Sequence, residues 1–251
     1  NLEINYISIE DIDIHSHNIM ESLEIDGSVG FVRFVVRDLN IPGSMADIRQ
    51  LHIQEGDICI TQYTTIDEEE VDGDYGMSEW IINLRNGNIK NCRVKYQLPD
   101  DSISTTFDIE DLVLKEGCVN TFEGSLALGE IALESSEVNY NMGNSTPEEA
   151  PLKHIELEKI IVEIRDIFYA KEIICANVRT LNLEQPGGLA ITNATANLTS
   201  SNDTLRLQGL DVYSHNGSHL QGEFIIPREA LSTPSGKVFT VEVAARLNKG
   251  D

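Results

Sequence analysis

Residues 107–114 read Phe107-Asp108-Ile109-Glu110-Asp111-Leu112-Val113-Leu114, two apolar-x-apolar steps separated by two acids, where x is any residue. Alternation of apolar and polar residues places the two sets of side chains on opposite faces of a β-strand. Similar alternation recurs along the whole chain, from residues 6–9 to residues 239–243. The sequence therefore predicts an all-β fold with many short strands.

Turns and a few short helices are expected between the strands. Turns are expected at Asn86-Gly87, Pro99-Asp100-Asp101, Glu116-Gly117, Pro186-Gly187-Gly188 and Asn216-Gly217. Helical turns are expected only at residues 44–50 and 227–231, which begin with Ser and Pro respectively. We therefore predict few and short helices.

The pattern of residues 107–114 is an internal repeat with irregular spacing. Good copies start at Ile7, Phe107, Leu126, Ile155 and Leu205, and looser copies start at Leu51 and Ile82. Inside each copy the apolar spacing changes from two to three residues, which in a flat strand would turn the second apolar pair to the opposite face. A bulge or corner at the polar pair restores the facing. The repeat thus favours bent strands in an elongated, twisted, largely antiparallel sheet with an apolar, groove-like interior.

The paired apolar positions of the best copies are the candidate lining of this groove. They are Ile7, Ile9, Ile12, Ile14, Phe107, Ile109, Leu112, Leu114, Leu126, Leu128, Ile155, Leu157, Leu205 and Leu207. The same side chains could instead fill a closed core, because core and groove linings share one composition. We interpret residues 1–251 as a single elongated β-rich region and a fragment of a longer chain, with soft boundaries possible at loops 67–76 and 142–151.

Charge restricts the partners. The chain has 18 Lys and Arg against 42 Asp and Glu, a formal net charge of −24. Such a surface repels nucleic-acid phosphates and anionic lipid headgroups, so we expect no nucleic-acid partner. No stretch reaches the roughly 18 apolar residues of a transmembrane helix.

Catalytic and metal-binding patterns are not found in the sequence. The four cysteines, Cys59, Cys92, Cys118 and Cys175, form no Cys-x-x-Cys pair and have no histidine at metal-ligand spacing. Two histidine pairs, His15 with His17 and His215 with His219, are expected at hairpin tips. Pairs of acids arise by chance in so acidic a chain and do not indicate a glycosidase. We therefore expect no enzyme, cofactor or metal site.

Two features of the sequence together resemble a known family. One is the expected strand Trp80-Ile81-Ile82-Asn83-Leu84, which is followed by an expected turn and residues 88–96, and the other is the set of repeated units. In this pattern the chain resembles the AsmA-like superfamily, and within it the TamB-type translocation and assembly module, over most of its length. The resemblance implies a periplasmic segment of a long protein anchored in the inner membrane. It also implies a taco-shaped sheet with an apolar groove, but no catalytic residue.

The resemblance implies two linked activities, transport of phospholipid between the inner and outer membranes and outer-membrane protein assembly with an Omp85-type partner. An acyl chain gains roughly 0.8 kcal/mol per buried methylene, so an apolar groove could hold one along its length. The alternative is an extracytoplasmic β-solenoid or β-sandwich module that binds carbohydrate or protein, although aromatic residues are only 6% of the chain. A β-helical hydrolase or lyase with paired acids is the third hypothesis.

Overall fold

The computed structural model describes residues 6–18, 22–63, 79–143, 153–171, 173–186, 188, 190–227 and 242–248. Twelve strands occupy nearly all of them. They are β1 (Ile7–Asn18), β2 (Leu23–Asn40), β3 (Met45–Gln62), β4 (Ile81–Leu98), β5 (Ile103–Asn120), β6 (Ser125–Met142), β7 (His154–Ala170), β8 (Ile173–Glu184), β9 (Ala190–Ser200), β10 (Thr204–Ser214), β11 (His219–Pro227) and β12 (Glu242–Asn248). The all-β prediction is confirmed.

All twelve strands form one sheet in the order of the sequence. Every neighbouring pair is antiparallel except β3 and β4, which are parallel. The predicted, largely antiparallel arrangement is therefore confirmed. Within the described residues, β1 pairs only with β2 and β12 only with β11, so both edges of the sheet are open.

The described strands form a single layer. Among the described residues, close approaches of Cα atoms join only strands that are neighbours in the sheet, so no second sheet of described strands covers either face. The apolar side chains are consequently mostly half-buried.

The strands are longer than the sequence indicates, and β2 to β6 each have 18 residues. A residue in the left-handed region lies at the polar pair of four copies of the repeat. These residues are Asp11 (φ 52°), Glu55 (φ 57°), Lys159 (φ 53°) and Gly209 (φ 60°). Each lies inside a strand, so the polar pair bends a strand and does not end it. At residues 110–111 φ is ordinary, but the pairing with β6 is interrupted between Asp108–Glu137 and Asp111–Glu134, where Glu110 N donates to Ser136 Oγ at 3.4 Å.

In the copy that starts at Leu126, the left-handed residue belongs to the neighbouring strand. Glu116 (φ 55°) lies opposite Gly129, because Lys115 pairs with Glu130 and Gly117 with Leu128. A Cβ atom at Gly129 would lie 3.1 Å from the Cβ of Glu116. Glycine thus accommodates the close approach of the kinked strand.

The same pairing of a glycine with a left-handed glutamate occurs between β2 and β3. Gly30 lies opposite Glu55, and a Cβ atom at Gly30 would lie 3.1 Å from the Cβ of Glu55. The two kinks therefore share one local solution, in which a residue without a side chain faces the distorted strand.

The helix predicted at residues 44–50 is wrong, because Met45 to Gln50 belong to β3. This part of β3 is hydrogen-bonded on both sides, to β2 and to β4, and two ladders outweigh the helical signal of a Ser start. In the other expected helix, Pro227 ends β11 and residues 228–231 lie outside the described part of the chain.

Two of the expected turns are also wrong, since Asn86-Gly87 lies inside β4 and Glu116-Gly117 inside β5. The turn expected after the Trp80 segment is the first of these, and β4 runs through it. A Cβ atom at Gly87 would lie 3.2 Å from the Leu114 Cβ, so this glycine permits close packing between strands.

The remaining expected turns agree with the structure. Ser102 N donates to Pro99 O at 3.0 Å, and Gly217 N donates to Ser214 O at 3.1 Å. Gly188 N donates to Gln185 O at 3.1 Å, although Gly187 lies outside the described residues. The loop at 67–76 and most of the loop at 142–151 lie outside them as well.

Candidate functional site

Directly paired residues of neighbouring strands lie on the same side of a sheet, so the register defines rows of side chains across the strands. Five such rows are predominantly apolar. The first is Ile14, Gly27, Ile58, Val94, Phe107, Val138 and Leu157. The second is Ile9, Val32, Ile53, Ile89, Leu112, Leu133, Val162 and Leu181.

The other three rows continue toward the opposite ends of the strands. The third is Ile7, Phe34, Leu51, Gly87, Leu114, Ile131, Ile164, Val178 and Ala196. The fourth is Ile48, Leu84, Gly117, Leu128 and Ile167. The fifth is Leu39, Ala46, Ile82, Val119, Leu126, Tyr169, Ile174, Ser200, Leu205 and Ile226.

The kinks keep these rows on one face, which we call the apolar face. Opposite the kink of β3 at Glu55, Val29 and Val32 of β2 are both buried, with 3% and 8% exposure, whereas the adjacent Ser28 and Arg33 are exposed. Strict alternation would put residues three apart on opposite faces. The shared burial shows that the three-residue spacing has been absorbed by the kink.

Packing contacts join the third and fourth rows in the same way. A Cβ atom at Gly87 would contact Leu84 and Leu114, which belong to the fourth and third rows. A Cβ atom at Gly117 would lie 3.0 Å from the Leu128 Cδ1. The leucines of these rows therefore fill the space above the glycines, and the apolar face is continuous there.

The fourteen predicted lining residues are all placed by this register. Ten of them belong to the rows just given, and four lie beside apolar or small partners elsewhere. Ile12 pairs with Val29, Ile109 with Cys92, Ile155 with Tyr140, and Leu207 with both Leu198 and Phe224.

The lining residues differ in exposure. Leu128 is buried, whereas Ile7, Ile9 and Phe107 are exposed. The other ten are half-buried, which are Ile12, Ile14, Ile109, Leu112, Leu114, Leu126, Ile155, Leu157, Leu205 and Leu207. Lateral neighbours thus cover most of these side chains only in part, and no other layer of the described structure covers the rest.

Four residues that complete the second row are not among the predicted lining residues, although Leu133 and Val162 each end a copy of the repeat. Ile53, Ile89, Leu133 and Val162 connect Ile9 to Leu112 and beyond. Their alternation was visible in the sequence, but their place beside the repeat copies depends on the pairing register.

The opposite face is polar. One of its rows is His15, Asp26, Cys59, Lys95, Thr106, Asn139 and Glu156. Ion pairs between neighbouring strands lie on this face, including Lys90 with Asp111 at 2.9 Å and Arg93 with Asp108 at 2.6 Å. The sheet is therefore amphipathic, with one apolar and one charged surface.

Two ionisable groups with shifted pKa values, Glu130 and His15, interact with charged side chains on neighbouring strands. Lys115 donates to Glu130, and this hydrogen bond lowers the pKa of the Glu130 carboxyl. Asp26 accepts from His15 at 2.7 Å and raises the pKa of the imidazole. Both pairs join neighbouring strands and serve the cross-strand pairing.

The histidines are not all at hairpin tips as expected. His15 and His17 lie within β1 and His219 begins β11, while His215 is in the turn before it. His219 Nε2 lies 2.5 Å from an Asp211 oxygen. Among the residues that the structure describes, no group of three or more His, Cys, Asp or Glu side chains could hold a metal ion.

The four cysteines are free thiols. Cys92 is buried beneath the kink, where Gly56 N donates to its sulfur at 3.3 Å. Burial raises the pKa of this thiol, partly offset by the Gly56 amide. Cys92 therefore acts as a small buried apolar group.

In the described parts of the chain no helix has the length and apolar character needed to cross a membrane. Comparison with protein-family models gives no match, and comparison with curated proteins gives none either.

Proposed function

We propose that the apolar face is an open groove that holds phospholipid acyl chains, and that the chain is a periplasmic segment of an AsmA/TamB-like envelope protein. The supporting observation is one continuous, half-buried apolar face on a single-layer sheet. A globular protein would cover such a face with a second layer. Here a ligand of matching apolar character takes the place of that layer.

The dimensions suit a lipid. The fifth row extends over ten strands, from Leu39 on β2 to Ile226 on β11. At a strand spacing of about 4.8 Å, nine intervals give a path of about 43 Å. This exceeds the hydrocarbon thickness of a bilayer, about 30 Å, which two opposed acyl chains fill. Each buried methylene contributes roughly 0.8 kcal/mol, so a bound chain would be held without any specific polar contact.

The rest of the proposal follows from the resemblance. The parent protein is anchored in the inner membrane, and its grooves conduct phospholipid toward the outer membrane or serve outer-membrane protein assembly with an Omp85-type partner. The chain performs no catalysis in this proposal. Its charged face keeps a large open sheet in solution and opposes edge pairing with other chains.

The experiment compares two pairs of substitutions on the same two strands. Leu112 and Leu133 are directly paired on the apolar face. Val113 and Ala132, the next residues on the same two strands, are also directly paired, and their side chains lie on the opposite face. We would prepare the double variants Leu112→Asp with Leu133→Asp, and Val113→Asp with Ala132→Asp. Each protein is incubated with phosphatidylethanolamine and phosphatidylglycerol vesicles, separated from them, and extracted for lipid mass spectrometry.

The proposal predicts that the unchanged chain and the Val113 and Ala132 variant retain lipid, and that the Leu112 and Leu133 variant stays folded but retains at least tenfold less. Unfolding of the Leu112 and Leu133 variant would indicate a closed core, because an unpaired buried charge costs several kcal/mol. A lipid-free chain that melts cooperatively would contradict the groove and favour a non-enzymatic surface-binding module.

A further inference from the structure

A hollow of about 530 Å³ lies on β2, β3 and β4, beside the fourth apolar row. Its lining residues are Val35, Val36, Arg37, Asp47, Arg49 and Arg85. Three of the 18 basic residues of a chain with 42 acids thus meet at one place. Val36 pairs with Ile48 of the fourth row, and the other five residues belong to none of the five rows of the apolar face.

Two of these arginines are held side by side by the register. In the parallel pair of β3 and β4, Ile48 aligns with Leu84 and Gln50 with Asn86, so Arg49 aligns with Arg85. Like charges that lie directly opposite in a sheet destabilise it. Both side chains are exposed, and neither forms an ion pair with any described residue.

Nearby carboxylates do not neutralise this pair. Asp47, the one acid among the lining residues, already lies 3.6 Å from Arg37. Glu116 lies opposite Arg85 across the pairing of β4 and β5 and lines an adjoining hollow with it. The two form no ion pair, and the Glu116 Oε2 is turned toward β6, 3.1 Å from where a Cβ atom of Gly129 would stand. Arg49 and Arg85 are therefore left without an ion-pair partner among the described residues.

We propose that this hollow binds a phosphate group through Arg49 and Arg85, with Arg37 at its border. Guanidinium groups present paired N–H donors that match the oxygens of a phosphate, and these charge-assisted hydrogen bonds are stronger than neutral ones. A bound dianion also removes the repulsion between the two aligned arginines. The phosphate belongs either to a small soluble molecule or to a lipid headgroup.

The test uses the whole chain and inorganic phosphate as the probe, at low ionic strength and with chloride as the comparison salt. Binding is measured by isothermal calorimetry and by the rise in melting temperature. The variants are Arg49→Gln, Arg85→Gln and both together. Arg206→Gln is the matched control, because Arg206 is an exposed arginine on β10. A second arm replaces phosphate with vesicles of phosphatidylcholine, with or without phosphatidate.

Phosphate should bind the unchanged chain and raise its melting temperature more than chloride does at equal ionic strength. Each single variant should weaken binding about tenfold, the double variant should abolish it, and Arg206→Gln should have no effect. Binding of phosphatidate vesicles that inorganic phosphate displaces would identify a lipid headgroup as the source. Phosphate binding without vesicle binding would identify a soluble ligand.

Two results would overturn the proposal: no detectable binding by the unchanged chain in either arm, or binding that the double variant retains. Circular dichroism checks that each variant is folded. If a glutamine variant unfolds, Arg49→Lys with Arg85→Lys retains both charges and should bind more weakly than the unchanged chain, since the paired donors are lost. These results are independent of the groove, because no row of the apolar face is altered.

Discussion

Substitution of Gly27 by alanine tests the close approach of β2 and β3 directly. Gly27 pairs with Ile58, and a Cβ atom added to it would lie 2.2 Å from the Asp57 carbonyl oxygen and 2.8 Å from the Ile58 Cα. Both neighbours are backbone atoms, so no side-chain rotation can relieve the overlap. The strands must separate locally by about 1 Å to restore ordinary contact distances.

Separation weakens the ladder around Gly27, where each hydrogen bond contributes about 0.5–1.5 kcal/mol. Overpacking adds about 1–3 kcal/mol. We therefore expect Gly27→Ala to lower the free energy of unfolding by about 3 kcal/mol, and the urea midpoint by about 1 M or more. The control is Gly188→Ala, because a Cβ atom there would lie 3.9 Å from the Gln185 Oε1 and meet nothing closer. A Gly27→Ala variant within about 0.5 kcal/mol of the unchanged chain would refute this register.

Three further predictions concern single side chains. Glu55→Gly should raise the free energy of unfolding by about 1 kcal/mol because glycine tolerates the left-handed backbone. Glu110→Gly, at an ordinary φ, should lower it. Urea unfolding of both variants measures the two changes, and equal effects would contradict the kink at Glu55. The His15 pKa, followed by NMR, should lie above about 6.5 and should fall in Asp26→Asn. The ion pair should stabilise the fold below about pH 6.5, and this stabilisation should be lost as the pH rises through the raised pKa of folded His15. A His15 pKa that is unchanged in Asp26→Asn would exclude the pairing. Alkylation of Cys92 should be the slowest of the four thiols, as burial and a raised pKa both reduce the thiolate available, and fast labelling in the folded chain would show that the kink is open.

The apolar face was predictable because its signal is local. The alternation within residues 107–114 and the other repeat copies indicates which side chains share a face, and the three-residue spacing indicates a kink at the polar pair. Left-handed Asp11, Glu55 and Lys159 lie at these polar pairs. The repeat therefore carried both the fold class and the candidate lining.

The boundaries of the strands were less predictable, because glycine has two uses that the sequence alone does not separate. Gly217 occupies a turn, whereas Gly87 and Gly117 lie inside strands beneath the leucines of neighbouring strands. The parallel pairing of β3 with β4 is a second example. It depends on where β4 re-enters the sheet after a long connection, and alternation carries no information about strand direction.

The clustering of three arginines in the hollow could not be predicted from the sequence either. Arg37, Arg49 and Arg85 are spread over 49 positions and follow no shared pattern. Only the pairing of β2 with β3 and of β3 with β4 brings them together.

The open apolar groove is tested most directly by photo-crosslinking at two adjacent positions. A photoreactive side chain is placed at Ile53, on the apolar face, or at His52, which pairs with Arg33 on the opposite face. The folded proteins are illuminated with phospholipid vesicles and analysed by mass spectrometry. We predict lipid adducts on the acyl chain from position 53 and none from position 52. Equal labelling at both positions, or none at position 53 in a folded chain, would contradict a lipid-binding groove.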